Sequence, residues 1–352
     1  RRRRRDHALE HARPRVVRFR RLVRTADRPV FAVQSHSADF APVLPGTHPA
    51  LRRPMTAPRQ ILPGTTYLVT RRCFQRQLLL RPSESTDAIF RYVLAVAARR
   101  FGILVHAFCV LSNHFHLLVT DPDARLPAFE QYLDSLVARA VNASLGRWEP
   151  FWAPSSYSAV ALVSPSDVVD KAAYVLANPV AAGLVRSGRD WPGLWSAPEQ
   201  IGAGPVVVRR PGSFFRPSGS MPEKADLELS PPPGFASAAE FRALLSAALE
   251  AREREAVGAL EADGRGFLGA QRVLAQRPSS RPAPGEPRRT LNPRVAARDK
   301  WKRIEALGRL VAFLRSYRAA WTAMRRGARD VLFPAGTYWL RIAHGVPCAE
   351  FG

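Results

Sequence analysis

Leu111-Ser112-Asn113-His114-Phe115-His116-Leu117-Leu118-Val119 decides how the rest of the chain is read. A polar pair, Ser112-Asn113, is followed by imidazoles alternating with apolar side chains. Residues in a strand alternate between faces, so His114 and His116 share one face while Phe115 and Leu117 take the other. Upstream, Ile103 to Val110 runs Ile-Leu-Val-His-Ala-Phe-Cys-Val, a second strand. The turn between the two strands is too short for a crossover, so they pair antiparallel. Two neutral imidazoles two residues apart on a rigid strand are a ready pair of metal ligands. Two ordinary core or surface histidines would satisfy the same pattern, so the neighbouring segments have to decide.

Outward from this hairpin, Thr66 to Cys73 is β-branched and aromatic and reads as a strand. Ser85 is the expected cap of a helix whose apolar positions, Ile89, Tyr92, Val93 and Val96, recur at helical spacing until Gly102 ends it. Leu126 to Ser144 is a second helix, with Phe129, Leu133, Leu136, Val137 and Ala140 on one stripe. Tyr157 to Val163 is a fourth strand. A third helix is expected to start at Ser166 and to end at Asn178, because the residue before Pro179 is pushed out of the helical region. The order β-α-β-β-α-β plus a closing helix is the ferredoxin-like α+β pattern, an antiparallel sheet with helices on one face. Its other face would be open, and a histidine pair on it accessible.

The chain has 352 residues, is 46% hydrophobic and carries a formal charge of +24. That is enough apolar material for a sizeable core, and a charge that points to a polyanionic partner, nucleic acid first. Nearly all the cations are Arg; Lys occurs only at 171, 224, 300 and 302. Coding bias accounts for Arg in place of Lys but not for the excess of positive charge. Three cysteines, Cys73, Cys109 and Cys348, show neither metal spacing nor a disulfide framework and fit a reducing, cytoplasmic setting. No apolar run reaches the ~18 residues of a membrane helix.

Tyr174-Val175-Leu176-Ala177-Asn178-Pro179 is the second constellation. Tyr174 and Asn178 are four apart, one above the other on a helix face. A tyrosine in such a place usually packs in the core or at its rim. Beside a sheet bearing two histidines, the phenol and the amide also form a coherent site, with the phenol as a nucleophile toward a phosphodiester and the amide oxygen as a third metal ligand. An isolated phenol titrates near ~10, so it needs help at neutral pH, and nearby Arg side chains would favour phenolate.

Phe108 to Val119, with its Ser-Asn-His-Phe-His core, and Tyr174 to Val185, with Asn178-Pro179-Val180-Ala181-Ala182-Gly183-Leu184-Val185, follow one another in an order that resembles the single-tyrosine transposases of the HUH nuclease superfamily, in the branch of the REP-associated tyrosine transposases. The resemblance covers about residues 58 to 198. It implies that His114, His116 and Asn178 bind a divalent metal, Mg²⁺ or Mn²⁺, and that Tyr174 cuts single-stranded DNA to leave a 5′-phosphotyrosine and a free 3′-hydroxyl. It also implies hairpin DNA as the partner, and dimers as in related transposases. Two positions depart from the pattern. The resembled family carries a basic Gly-Arg-Tyr-Lys-like run after the aromatic turn, where Ala153 to Ser158 has no basic residue, and a Lys or Arg is common where Ala181 stands. A non-catalytic DNA-binding protein on the same fold is the second reading, and a metal hydrolase using water is the third.

The remainder divides by composition. Residues 1–57 are Arg- and Pro-rich and are expected to be a solvated, disordered arm. Residues 58–200 hold the expected catalytic domain. Residues 201–236 are rich in Pro, Gly and Ser and read as a linker. Residues 237–352 read as mainly helical: Ala238 to Ala262 is a strong helix candidate, Gly264 to Gln276 a short one, and Trp301 to Arg325 a long basic amphipathic helix. Arg277 to Pro293 is a second Pro/Arg-rich linker. Tyr338 to Ile342 is expected to be a strand in a closing hairpin.

Overall fold

In chain order the elements of the computed structural model are β1 (Thr65–Arg72), α1 (Glu84–Phe101), β2 (Leu104–Leu111), β3 (His114–Asp121), α2 (Leu126–Ser144), β4 (Ser158–Leu162), α3 (Pro165–Ala181), β5 (Val206–Arg209), β6 (Lys224–Leu227), α4 (Ala238–Ala262), α5 (Ala270–Ala275), β7 (Val295–Ala296), α6 (Lys300–Arg325) and α7 (Trp339–His344). The structure describes residues 57–154, 157–282 and 293–351. The basic arm, apart from its last residue, lies outside them, as does most of the second Pro/Arg-rich run.

The main sheet has the order β2-β3-β1-β4-β7. Its first four strands are antiparallel throughout, with Thr70 opposite His116 and Arg72 opposite His114. This is the ferredoxin-like α+β arrangement expected from the sequence. Two-residue β7 adds to β4 in parallel, so the sheet is not purely antiparallel.

Alternation along β3 sorts the layers. Phe115 meets Phe90 of α1 edge-on at 5.2 Å. Arg71, beside Phe115 across the pairing, reaches Asp134 of α2 at 3.0 Å. Hence α1 and α2 lie on the odd face of β3. His116, on the even face, meets Tyr174 of α3. So α3 packs on the face expected to be open, and α4 packs on α3 in turn. Burial explains the difference: Val168, Ala172, Val175 and Leu176 are apolar side chains of α3 that leave water by joining the main core.

Helix starts also shift. Ser83, not Ser85, caps α1, accepting from the Thr86 amide at 3.2 Å. Ser164, not Ser166, caps α3 in a reciprocal box with Asp167, and Pro165 takes the first helical position, where its missing N–H costs nothing. The pre-proline argument placed the end of α3 at Asn178, but the helix continues to Ala181 with Pro179 inside it. Trp195 donates its indole N–H to the Leu176 carbonyl at 2.9 Å, tying the last turns of α3 to the segment that follows it. Gly183, at φ +68°, then closes it in the left-handed region.

The segment read as a linker is folded. β5 and β6 form a hairpin against α1, and Val208, Phe215, Ala225, Leu227 and Leu229 join the main core. The Val206-Val207-Val208 run and the alternation of Ala225 with Leu227 outweigh the Pro and Gly around them. Past α6, Tyr338 to Ile342 is not a strand: Trp339–His344 is a helical turn stopped by Gly345 at φ +61°. An apolar run this short does not separate helix from strand. Phe313, Tyr317, Phe333 and Leu340 make a small second core here.

Candidate active site

β3 and α3 bring together all four residues singled out in the sequence. The His114 and His116 rings lie 4.8 Å apart, nearly perpendicular, and the Tyr174 ring sits 5.4 Å from His116. The Asn178 amide nitrogen is 3.2 Å from His116 Nε2. Because Pro179 does not break α3 before Asn178, the phenol and the amide stay one turn apart on one face.

Hydrogen bonds fix which imidazole nitrogens are available. His114 Nδ1 is 2.6 Å from Asn113 Oδ1, an acceptor, so Nδ1 carries the proton and Nε2 keeps its lone pair. His116 Nδ1 is 2.8 Å from Thr70 Oγ1. With the Asn178 amide donating to Nε2, Nδ1–H donates to Thr70, and Nε2 is again the bare nitrogen. A half-turn of the Asn178 amide would present its oxygen instead. Two Nε2 lone pairs and one amide oxygen therefore fit a divalent ion, with Asn113 and Thr70 orienting the rings from behind. Among the described residues no group of three His, Cys, Asp or Glu side chains is placed to hold a metal ion, and the side chain that stands beside the histidine pair is the Asn178 amide.

The electrostatics suit ligands and anions. Burial pushes the His114 pKa down to about 3, with repulsion from Arg72 and Arg76 adding to it. His116 is also lowered, by burial first and then by His114 and Arg72. Both rings are held neutral, the form that binds metal. Arg72 and Arg76 make the rim positive, and Lys171 places its ammonium 5.9 Å from the Tyr174 ring centre while pairing with Asp170 at 3.0 Å. Tyr174 is 38% exposed, whereas His116 is buried.

Thr70, Asn113, Arg72 and Lys171 were not assigned to the site from sequence. Asn113 stood inside the quoted stretch but was read only as turn. Thr70 carries no local signal, since only the register opposite His116 makes it an orienting group. A further histidine, His106, lies in a β-bulge of β2 and is structural. Its Nδ1–H donates to the Ser230 carbonyl at 2.8 Å, and its Nε2 accepts from Thr120 Oγ1 at 2.7 Å. Thr120 in turn accepts from Thr66 at 2.7 Å.

No family model matches the chain, and no curated protein matches it in sequence. Among solved structures, it is similar to a REP-associated tyrosine transposase bound to a REP hairpin, at 19% identity and a TM-score of 0.35, over 45% of this chain and 95% of that one. It is also similar to a candidate transposase from Deinococcus radiodurans R1, at 20% identity and a TM-score of 0.25, over 31% of this chain and 87% of that one.

Proposed function

We propose that this chain is a transposase-like, metal-dependent endonuclease and strand transferase for single-stranded or hairpin DNA, with Tyr174 as nucleophile. The observation that carries the reading is the convergence of His114, His116, Asn178 and Tyr174 from two elements onto one positive, partly open site. Mg²⁺ or Mn²⁺ held by His114, His116 and Asn178 would polarise the scissile phosphate. Arg72 and Arg76 draw the phosphate to the rim. Tyr174 Oη attacks phosphorus, forming the phosphotyrosine bond to the 5′ side as the bond to O3′ breaks. The electron pair leaves on O3′, which takes up a proton, and the phenolic proton passes to solvent. Reversal by a 3′-hydroxyl rejoins the strand with no external energy source.

The test is incubation of labelled single-stranded hairpin DNA with the protein and Mg²⁺ or Mn²⁺, followed by a denaturing gel. A covalent adduct is expected, absent in Tyr174→Phe, which still binds DNA. Cleaved DNA without an adduct indicates water as nucleophile. DNA retarded but never cut, across many hairpins, indicates the non-catalytic DNA-binding protein, the reading favoured by the missing basic residues at Ala153 to Ser158 and Ala181.

A further inference from the structure

Trp148, on the turn between α2 and β4, is 92% exposed, the most of any large apolar side chain among the described residues. One such side chain is ordinary on a protein surface. This one sits on a fixed turn at the metal-ligand end of the sheet. β3 starts at His114 and runs away from it for roughly 27 Å, and α2 returns over roughly 28 Å. The end of α2 therefore lies where β3 begins. Hydrogen bonds join the turn to that end. Phe74 donates its amide to the Phe151 carbonyl at 2.7 Å, Ala153 to the Arg72 carbonyl at 2.9 Å, and Cys73 to the Asn113 carbonyl at 2.8 Å.

The turn is also fixed within itself. The Arg147 amide donates to the Asn142 carbonyl at 2.8 Å, and the Asn142 side chain donates to the Glu149 carbonyl at 2.9 Å. The Trp148 amide donates to Glu149 Oε2 at 3.2 Å, and Arg147 pairs with the same carboxylate at 3.3 Å, so the acid beside the indole is answered inside the turn. A ring on a backbone this restrained has little freedom left to lose on binding. On the neighbouring segment Arg72 and Arg76 are exposed. Gln75 and Arg76 there hold φ of +51° and +61°, a conformation that costs free energy in residues other than glycine and that gathers at functional sites. Arg76 lies within electrostatic reach of His114.

An exposed flat ring beside exposed guanidiniums suits an unpaired nucleotide, with the base stacked on the ring and the phosphates on the cations. Stacking would also add affinity where Ala153 to Ser158 has no basic residue. We propose that Trp148 is the stacking platform for one unpaired base of the DNA strand near the cut, with Arg72 and Arg76 on its phosphates. The proposal rests on single-stranded or hairpin DNA being the ligand of the Tyr174 site. It adds that an unpaired flank is what the site holds, gripped by a base face and therefore tolerant of sequence.

Fluorescence anisotropy of the full chain in EDTA tests it, with hairpin oligonucleotides whose single-stranded flanks carry one abasic position, moved along in turn. In the wild type, one flank position is expected to cost about tenfold in affinity when abasic, and Trp148→Ala to cost about tenfold on the intact strand. The two losses do not add: Trp148→Ala binds the intact strand and the strand abasic at that position equally well. Trp148→Tyr keeps most of the affinity. The slope of log K against log salt is unchanged in Trp148→Ala and is shallower by about 0.7 in Arg76→Gln. With its indole in water, Trp148 can be replaced without threatening the fold. The proposal is overturned if Trp148→Ala binds every strand as the wild type does, or if the abasic penalties are the same in both proteins; a Tyr174-dependent adduct in Mn²⁺ would then leave the cleavage reading intact. Abasic-sensitive binding through Trp148 with no adduct in Mn²⁺ upholds the platform and removes the cleavage reading. A wild type that binds none of these oligonucleotides overturns both.

Discussion

Thr70 shows how much of a site can rest on a residue that contacts no substrate. Its hydroxyl is the acceptor that holds the His116 proton on Nδ1 and so leaves Nε2 bare. Thr70→Val keeps the shape and removes that acceptor. It should weaken Mn²⁺ binding by about ten- to a hundredfold, read by titration calorimetry, while the melting temperature moves little. Unchanged Mn²⁺ affinity would show that Asn178 alone orients the ring. His106 makes a pH prediction of definite sign. Burial lowers its pKa from 6.5 to about 4, so the folded state keeps it neutral. Its contribution is complete above pH 6.5 and is lost as pH falls toward 4, on the order of 3 kcal/mol in all. Asp87 and Asp134, both raised to about 7 by burial, act in the opposite direction over the same range. The measurement is therefore a difference: urea midpoints of wild type and His106→Gln should converge as pH drops from 6.5 to 4. A constant gap would mean that His106 is already protonated in the fold.

Among the elements, the β5–β6 hairpin separates reading by composition from reading by pattern. A linker would leave Leu227 in water, and Leu227→Ala would then cost almost nothing. Leu227 is instead buried in the main core, so the substitution should cost about 2–4 kcal/mol in chemical denaturation. α3 makes a related point. Its apolar stripe, the Tyr174–Asn178 spacing and the proline were all visible in the sequence. The pre-proline bias is a local preference of modest size, and packing of α3 between the sheet and α4 overrides it. The extension from Asn178 to Ala181 leaves the one-turn spacing of Tyr174 and Asn178 as the sequence had it.

For the whole molecule, a net charge of +24 predicts steep salt dependence. Each phosphate neutralised on a single strand should contribute about −0.7 to the slope of log K against log salt, so an interface of several phosphates loses affinity sharply between low and physiological salt. A nearly flat slope in a fluorescence-anisotropy titration would remove nucleic acid as the partner the charge was read to indicate. The described residues contain no helix long and apolar enough to cross a membrane.

The sequence by itself determined the β-α-β-β-α-β order, the hairpin that carries His114 and His116, and the one-turn spacing of Tyr174 and Asn178. These depend on periods of 2 and 3.6 and on turn chemistry, all of which are local. Tertiary structure alone decided that α3 covers the sheet face read as open, that Thr70 stands behind His116, and that the turn bearing Trp148 joins the end of the sheet that carries His114. Each of these joins residues far apart in the chain. Strand register and the burial of amphipathic faces set such meetings, and neither leaves a mark within any one stretch of sequence.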